Sequence, residues 1–311
     1  AAMKISIRRC AYSALLAVCS SLSIAHAVTV IDEKFDSPDA LKRWQWMSDA
    51  EGWPTQVAKV SVDGGALLIE PYTSYWLAGF HAPFLMREYE GDFVMTTRVK
   101  TEGLKAGEPP RRGSGSYIGL MARKPAPQAP DWKQADENYV LLATGSDGAA
   151  TPAISVLRTV DGRSQQQVYG TQQNWHELRL VRIGNTFISL HRLQGQKWKV
   201  TQLDLDLLAF TWKGMSLDHM TQPNLPAKLQ LGLTASTDFA YTMVGGFKGH
   251  ANEPPAREFN SMTVKDGDRD LRAHVDYFKL DSFSAPASWK GKNLNDLSEA
   301  DLLKVLGDGF K

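Results

Sequence analysis

Aromatic, hydroxyl and imidazole groups crowd one short stretch of the chain, Thr73-Ser74-Tyr75-Trp76-Leu77-Ala78-Gly79-Phe80-His81. Sugars present apolar ring faces rimmed by hydroxyls, so a site for them pairs an aromatic platform with side chains that form paired hydrogen bonds. Tyr75, Trp76 and His81 are therefore the first candidates for a ligand wall. Trp53 beside Pro54, Tyr72, and Trp132 in a proline-rich stretch are further loop aromatics. Arg123 and Asn138 flank residues 124–136 and would meet at one end of a sheet if their strands pair as a hairpin. Arg98 and Tyr117 are weaker additions, because their faces depend on strand register. The competing reading of each tryptophan is a core side chain, since Trp is highly buried on average.

Carboxylates raise two other chemistries. Glycoside hydrolysis uses a pair about 5–5.5 Å apart for retention or roughly 6.5–9.5 Å apart for inversion. Glu88 and Glu90, two apart around Tyr89, would share a strand face, yet a solvated edge carries such pairs as well. Asp266, Asp268 and Asp270 alternate around Gly267, an oxygen-rich pattern that suits calcium. Leu271 stands where an EF-hand loop needs glycine and Tyr277 where it needs the bidentate glutamate, so a solvated acidic loop is the rival reading. His81, His176, His191, His219, His250 and His274 are scattered singly, without an HExxH or nucleophile motif.

The elements that must position these groups read as strands. Phe93-Val94-Met95-Thr96-Thr97-Arg98-Val99-Lys100 alternates with Phe93, Met95 and Val99 on one side, the mark of a half-buried strand. Similar runs recur at 66–70, 116–123, 139–144, 153–159, 176–182, 186–193, 197–203, 229–235 and 274–283. Asp63-Gly64-Gly65, Asp147-Gly148, Asp161-Gly162, Gly184-Asn185 and Gln194-Gly195 supply turns between runs. Many short strands with tight turns predict two antiparallel sheets packed face to face, an all-β sandwich spanning 28–285 as one domain. Longer loops at 104–116, 124–132 and 245–270 interrupt the pattern. In the tail, 286–311, Ser298 as N-cap, Asp301 three residues on, Leu297 facing Leu302 and the stop at Gly307 predict a short helix over 298–306. Its apolar side must dock on the sandwich itself or on a partner protein.

Several segments in order resemble the DUF1349-type, laminin-G-like branch of the concanavalin A-like lectins and glucanases. They are residues 80–85, Gly91-Asp92-Phe93-Val94, Gly119-Leu120-Met121-Ala122-Arg123, Glu137-Asn138-Tyr139-Val140, residues 175–182 and Val275-Asp276-Tyr277-Phe278. The resemblance implies a jelly roll with a convex and a concave sheet, often used to bind sugars. It also implies a structural calcium site where the first and last strands meet, which Asp32 or Glu33 with Asp276 could supply. The superfamily's glucanase signature is broken, because Met95 stands where the second Glu would follow Glu90-Gly91-Asp92. Tyr277-Phe278-Lys279 is similar to one strand of the polysaccharide lyases on this fold, whereas their Gln-x-His and Arg-x-Glu strands are missing.

At the N-terminus, Lys4, Arg8 and Arg9 precede an apolar run from Ala11 to Ile24 that closes on Ala25-His26-Ala27, the order of a secretory signal peptide with the mature chain starting at Val28. Leu16-Ala17-Val18-Cys19 resembles a lipoprotein box and offers lipidation at Cys19 instead. Cys10 and Cys19 are the only cysteines, so a chain starting at Val28 has neither disulfides nor thiol chemistry. Losing Lys4, Arg8 and Arg9 leaves 32 basic against 34 acidic side chains, which argues against nucleic acid as a partner. The leading expectation is thus a periplasmic or secreted, noncatalytic carbohydrate-binding sandwich that takes ligand along Tyr75–His81, Arg123 and Asn138. Its alternatives are a glycoside hydrolase or polysaccharide lyase on the same fold, and a cell-envelope interaction module.

Overall fold

The computed structural model describes residues 26–148, 152–201, 210–211, 221–244 and 256–310. Among these, sixteen strands run in chain order. They are β1 (His26–Glu33), β2 (Gln45–Trp46), β3 (Val57–Asp63), β4 (Ala66–Pro71), β5 (Phe84–Glu90), β6 (Phe93–Glu102), β7 (Ser116–Arg123) and β8 (Tyr139–Ser146). The second half holds β9 (Ala153–Val160), β10 (Arg163–Gly170), β11 (His176–Ile183), β12 (Thr186–Leu193), β13 (Lys199–Val200), β14 (Phe210–Thr211), β15 (Lys228–Ser236) and β16 (Arg272–Ser284). Three short α-helices accompany them: α1 (Met47–Glu51), α2 (Ala256–Asn260) and α3 (Glu299–Leu306).

The strands form two antiparallel sheets of eight, the jelly-roll-like sandwich that the alternation predicts. The first sheet runs β13-β12-β11-β6-β16-β4-β3, with β1 also paired to β16; the second runs β14-β10-β9-β8-β7-β15-β5-β2. The period of two decides what lies between them. Phe93, Met95 and Val99 of β6 meet Ile118, Leu120 and Ala122 of β7 and Leu229, Leu231 and Leu233 of β15 in the central core. The expected strand at 197–203 is present as β13; its later residues lie outside the described ones. The long loop expected over 245–270 contains the helical turn α2. Of the expected leader only His26 and Ala27 are described, and they open β1 opposite Ser284 and Phe283.

Each sheet also has an outer face; the chain's own segments cover that of the second sheet and part of that of the first. On the first sheet, α3 begins as predicted: the Ser298 hydroxyl accepts the Asp301 backbone N–H at 3.2 Å. Leu302 and Leu306 then bury fully against Val94, Val181, Ile188, Leu190 and Trp198. Arg179 closes the contact by donating to the Gly307 carbonyl at 3.0 Å, with its guanidinium 4.3 Å from the centre of the Trp198 ring. The helix that could have met a partner spends its apolar side on its own sheet. Truncating Leu302 to Ala should therefore lower unfolding free energy by about 2–5 kcal/mol in urea denaturation, as for a fully buried leucine.

Candidate functional site

The outer face of the second sheet gathers most of the aromatics proposed from the sequence as a ligand wall. Met121, Tyr139, Leu141, Ala143 and Leu157 point onto it and are all buried. An apolar sheet face in water has to be covered. The cover here comes from α1 and the residues through Trp53, from residues 72–83, from the proline-rich loop after β7, and from α2. The aromatics expected to be exposed are that cover. Trp53 is 6% exposed, Tyr75 3%, Trp76 2% and Trp132 1%. Trp53 meets Trp132 edge-on at 5.5 Å, and Trp76 meets Tyr139 at 5.2 Å. Gly79 marks how tight the packing is: a Cβ there would lie 2.8 Å from Gln134 and 3.1 Å from Trp132. The open aromatic wall along Tyr75–His81 is thus replaced by a filled concavity.

At its centre is Arg123, which has no solvent exposure. Its Nε and Nη2 donate to the Glu137 carboxylate at 2.9 and 2.7 Å, while Nη1 and Nη2 donate to Glu51 at 2.6 and 2.9 Å. Gln230 on β15 joins both sides, accepting from Arg123 at 2.7 Å and donating to Glu51 at 3.0 Å. Trp132 Nε1 donates to Glu137 at 2.8 Å, and His81 Nε2 sits 2.8 Å from the same oxygen. Burial alone would raise the Glu137 carboxyl, but Arg123 and His81 outweigh it and hold that group far below the ordinary carboxylate range. Charge-assisted pairs of this geometry make a closed lock that ties β7, β15, α1 and residues 81 and 137 together. His81 Nδ1 and Trp53 Nε1 have no hydrogen-bond partner among the described residues, and both residues line a cavity of about 10 Å³, room for about one water.

The other candidates separate. Asn138 turns away from Arg123, its amide oxygen accepting the Asp161 N–H at 3.0 Å, so the expected convergence of Arg123 and Asn138 side chains gives way to Arg123 with Glu137 and Glu51. Tyr117 is buried and donates to Asp147 at 2.8 Å. Arg98 lies on the outer face of the first sheet, stacked 4.7 Å from Trp175 and paired with Asp276 at 2.8 Å. Glu88 pairs with Lys228 at 2.5 Å on a half-exposed edge. In the acidic loop, Arg111 pairs with two of the three aspartates. It donates to both Asp268 oxygens at 2.8 Å and to Asp270 at 3.1 Å, while Asp270 also accepts the Leu104 and Arg111 N–H groups. Asp266 is exposed, and Asp32 faces Lys279 across β1 and β16. Among the described residues no three His, Asp or Glu side chains are placed to hold a metal ion together.

A second concavity, of about 290 Å³, opens at the edge of the sandwich between the chain leaving β10 and the β12–β13 turn. Thr171, Gln172, His191, Arg192, Lys197 and Lys199 are on its wall. The period of two places them: Lys197 and Lys199 face the opening, while Trp198 between them is buried between Arg179 and Arg192 at 4.3 and 4.8 Å. Behind the wall, Thr171 Oγ1 lies 2.9 Å from His176 Nε2, and His191 Nδ1 bonds Thr201. Burial pushes the His176 imidazole down to about 4, and burial together with the charges of His176 and Lys199 does the same to His191. Sequence reasoning passed over this wall because its histidines are singles and its lysines sit beside a turn; the Lys-Trp-Lys alternation is the one signal it offers.

No family model matches the chain, and no curated protein does. The resemblance read from the motifs therefore stays at the level of the sandwich. Solved structures resemble it distantly. A functionally unknown protein from Saccharomyces cerevisiae is 13% identical, aligning 78% of this chain with 96% of that one at a TM-score of 0.44. The GH43 BlXynB protein from Bacillus licheniformis is 11% identical, over 81% of this chain but only 39% of its own, at 0.48. A beta-1,3-glucanase from Mycobacterium marinum is 12% identical, over 81% and 98%, at 0.40. At these values none of them assigns an activity to this chain.

Two outcomes follow from the buried charges. Arg123→Ala strands two carboxylates in an apolar shell and should cost about 3–5 kcal/mol in denaturant titrations, with part recovered when Glu51→Gln and Glu137→Gln are added. Between pH 6.5 and 4 the unfolded chain protonates histidines that the folded chain keeps neutral, so stability falls as pH falls through that window. For His176 the loss from pH 7 to 5 is about 2 kcal/mol, and a His176→Gln variant should show a correspondingly shallower fall of Tm over that range.

Proposed function

We propose that this chain is an exported, noncatalytic carbohydrate-binding sandwich whose ligand enters at the sandwich edge, in the pocket bounded by Thr171, Gln172, His191 and Lys199. Export rests on the order of Lys4, Arg8, Arg9 and the apolar run to Ala27 in the sequence. The observation that carries the binding reading is the pocket itself. At about 290 Å³ it lies near the lower end of small-molecule sites, roughly 300 Å³, and it sets hydroxyl, amide and ammonium groups from two loops around one opening. The hydroxyl and amide groups both donate and accept, and the ammonium groups donate, which together meet a ring of sugar hydroxyls. The noncatalytic reading is supported by the condition of the carboxylates. Glu51 and Glu137 are locked on one guanidinium without solvent, and Glu88 lies along an edge beside Lys228. Structural neighbours that include a beta-1,3-glucanase agree with a sugar-related role without establishing one.

Calorimetric titration of the purified chain with a panel of oligosaccharides tests the reading. Binding should weaken about tenfold in Gln172→Ala and again in Gln196→Ala, the scale of one lost hydrogen bond each, with no reducing sugar released over hours. Absence of any glycan binding, indifference to both substitutions, or steady product release would each overturn it.

A further inference from the structure

The wall of the edge pocket is one-sided in charge. Three of its residues, Arg192, Lys197 and Lys199, are cationic, and no Asp or Glu is among the described residues that line it. The three cations are not equivalent. Arg192 is already paired, with Glu177 and with Asp308 at 3.0 Å, and its guanidinium lies against Trp198. Lys197 and Lys199 are exposed, and neither has an ion-pair partner among the described residues. Two ammonium groups without an ion-pair partner among the described residues stand at one mouth, and such groups raise the local potential and draw an anion. The backbone that carries them is held in place. Lys199 sits in register opposite His191 on β12, and the buried Trp198 anchors the short chain that carries both.

We propose that the pocket selects sugars bearing an anionic group, a carboxylate or a sulfate, with Lys197 and Lys199 holding the charge and Thr171, Gln172 and Gln196 reading the hydroxyls. This rests on the pocket being the carbohydrate site and names the class of carbohydrate. An ammonium is a compact charge with three donors, able to meet a uronate carboxylate or a sulfate ester equally well. The neighbouring amides distinguish such a ligand from a bare inorganic ion, since an ion of that size leaves them facing water. The space beside Gly170 at the entrance is open, for a Cβ at that position would touch nothing within 4 Å.

The test titrates the whole chain with matched oligosaccharides in three forms, neutral, uronate and sulfated, and with inorganic sulfate alone, at low and at physiological salt. The expected result is at least tenfold tighter binding of an acidic form than of the neutral one, weakened by salt as exposed ion pairs are. The Lys197→Gln/Lys199→Gln double variant should bring acidic and neutral forms within twofold of each other and keep the melting temperature of the parent. Whether uronate or sulfated sugar binds more tightly identifies the source of the charge. Equal binding of neutral and acidic sugars by the parent, with both weakened by Gln196→Ala, would overturn the charge preference and leave the carbohydrate site standing. Inorganic sulfate binding as tightly as any sugar would overturn the sugar reading, and no binding by any of the four would overturn both.

Discussion

A guanidinium without solvent is the constraint around which one side of this molecule is arranged. Arg123 needs partners on every side, because an arginine in an apolar shell is tolerable only when its donors are met by charge. Glu137 arrives from the turn before β8 and Glu51 from the end of α1, so a loop and a helix distant in sequence must both close over the second sheet before the charge is satisfied. Trp132, Trp53, Trp76 and His81 then pack around the ions and exclude water. Excluding water strengthens the ion pairs, and the ion pairs hold the lid that excludes it.

The consequence for function is geometric. A sandwich has two outer faces and a rim of edges and loops. One outer face is filled by the aromatic lid and part of the other by the C-terminal segment from Trp289 to Leu306. Ligand access along the middle of the second sheet would require opening a lock of three charged groups. The edge between β10 and the β12–β13 turn requires no opening, and there the chain carries cations in place of aromatics. Among the described residues no helix is long and apolar enough to cross a membrane.

Much of the fold was legible because a period of two survives in the sequence wherever one side of a strand is buried. The strands at 93–100, 116–123, 176–182 and 274–283 lie where alternation put them, and the capping pattern at Ser298 and Gly307 marked α3. The site was less legible. Tyr75, Trp76, His81 and Arg123 do converge, but whether a converging group of aromatics is a platform or a plug depends on what lies over it, and neither composition nor spacing encodes that. Glu51 was missed because it stands alone between Ala50 and Gly52, and Glu137 because its partner fourteen residues earlier is met only through the β7–β8 hairpin. The alternation of Asp266, Asp268 and Asp270 suggested calcium or a solvated acidic loop; Asp268 and Asp270 pair with Arg111, from a loop more than 150 residues away that local spacing could not point to.

The closure of the second sheet's outer face can be measured directly by hydroxyl-radical footprinting with mass spectrometry, which labels tryptophans in proportion to their contact with water. Trp53, Trp76 and Trp132 should remain almost unlabelled in the folded chain, while the half-exposed Trp175 beside Arg98 is labelled readily. Labelling of Trp53 and Trp76 at rates comparable to Trp175 would mean that the face is open, and the account built on its closure would be wrong.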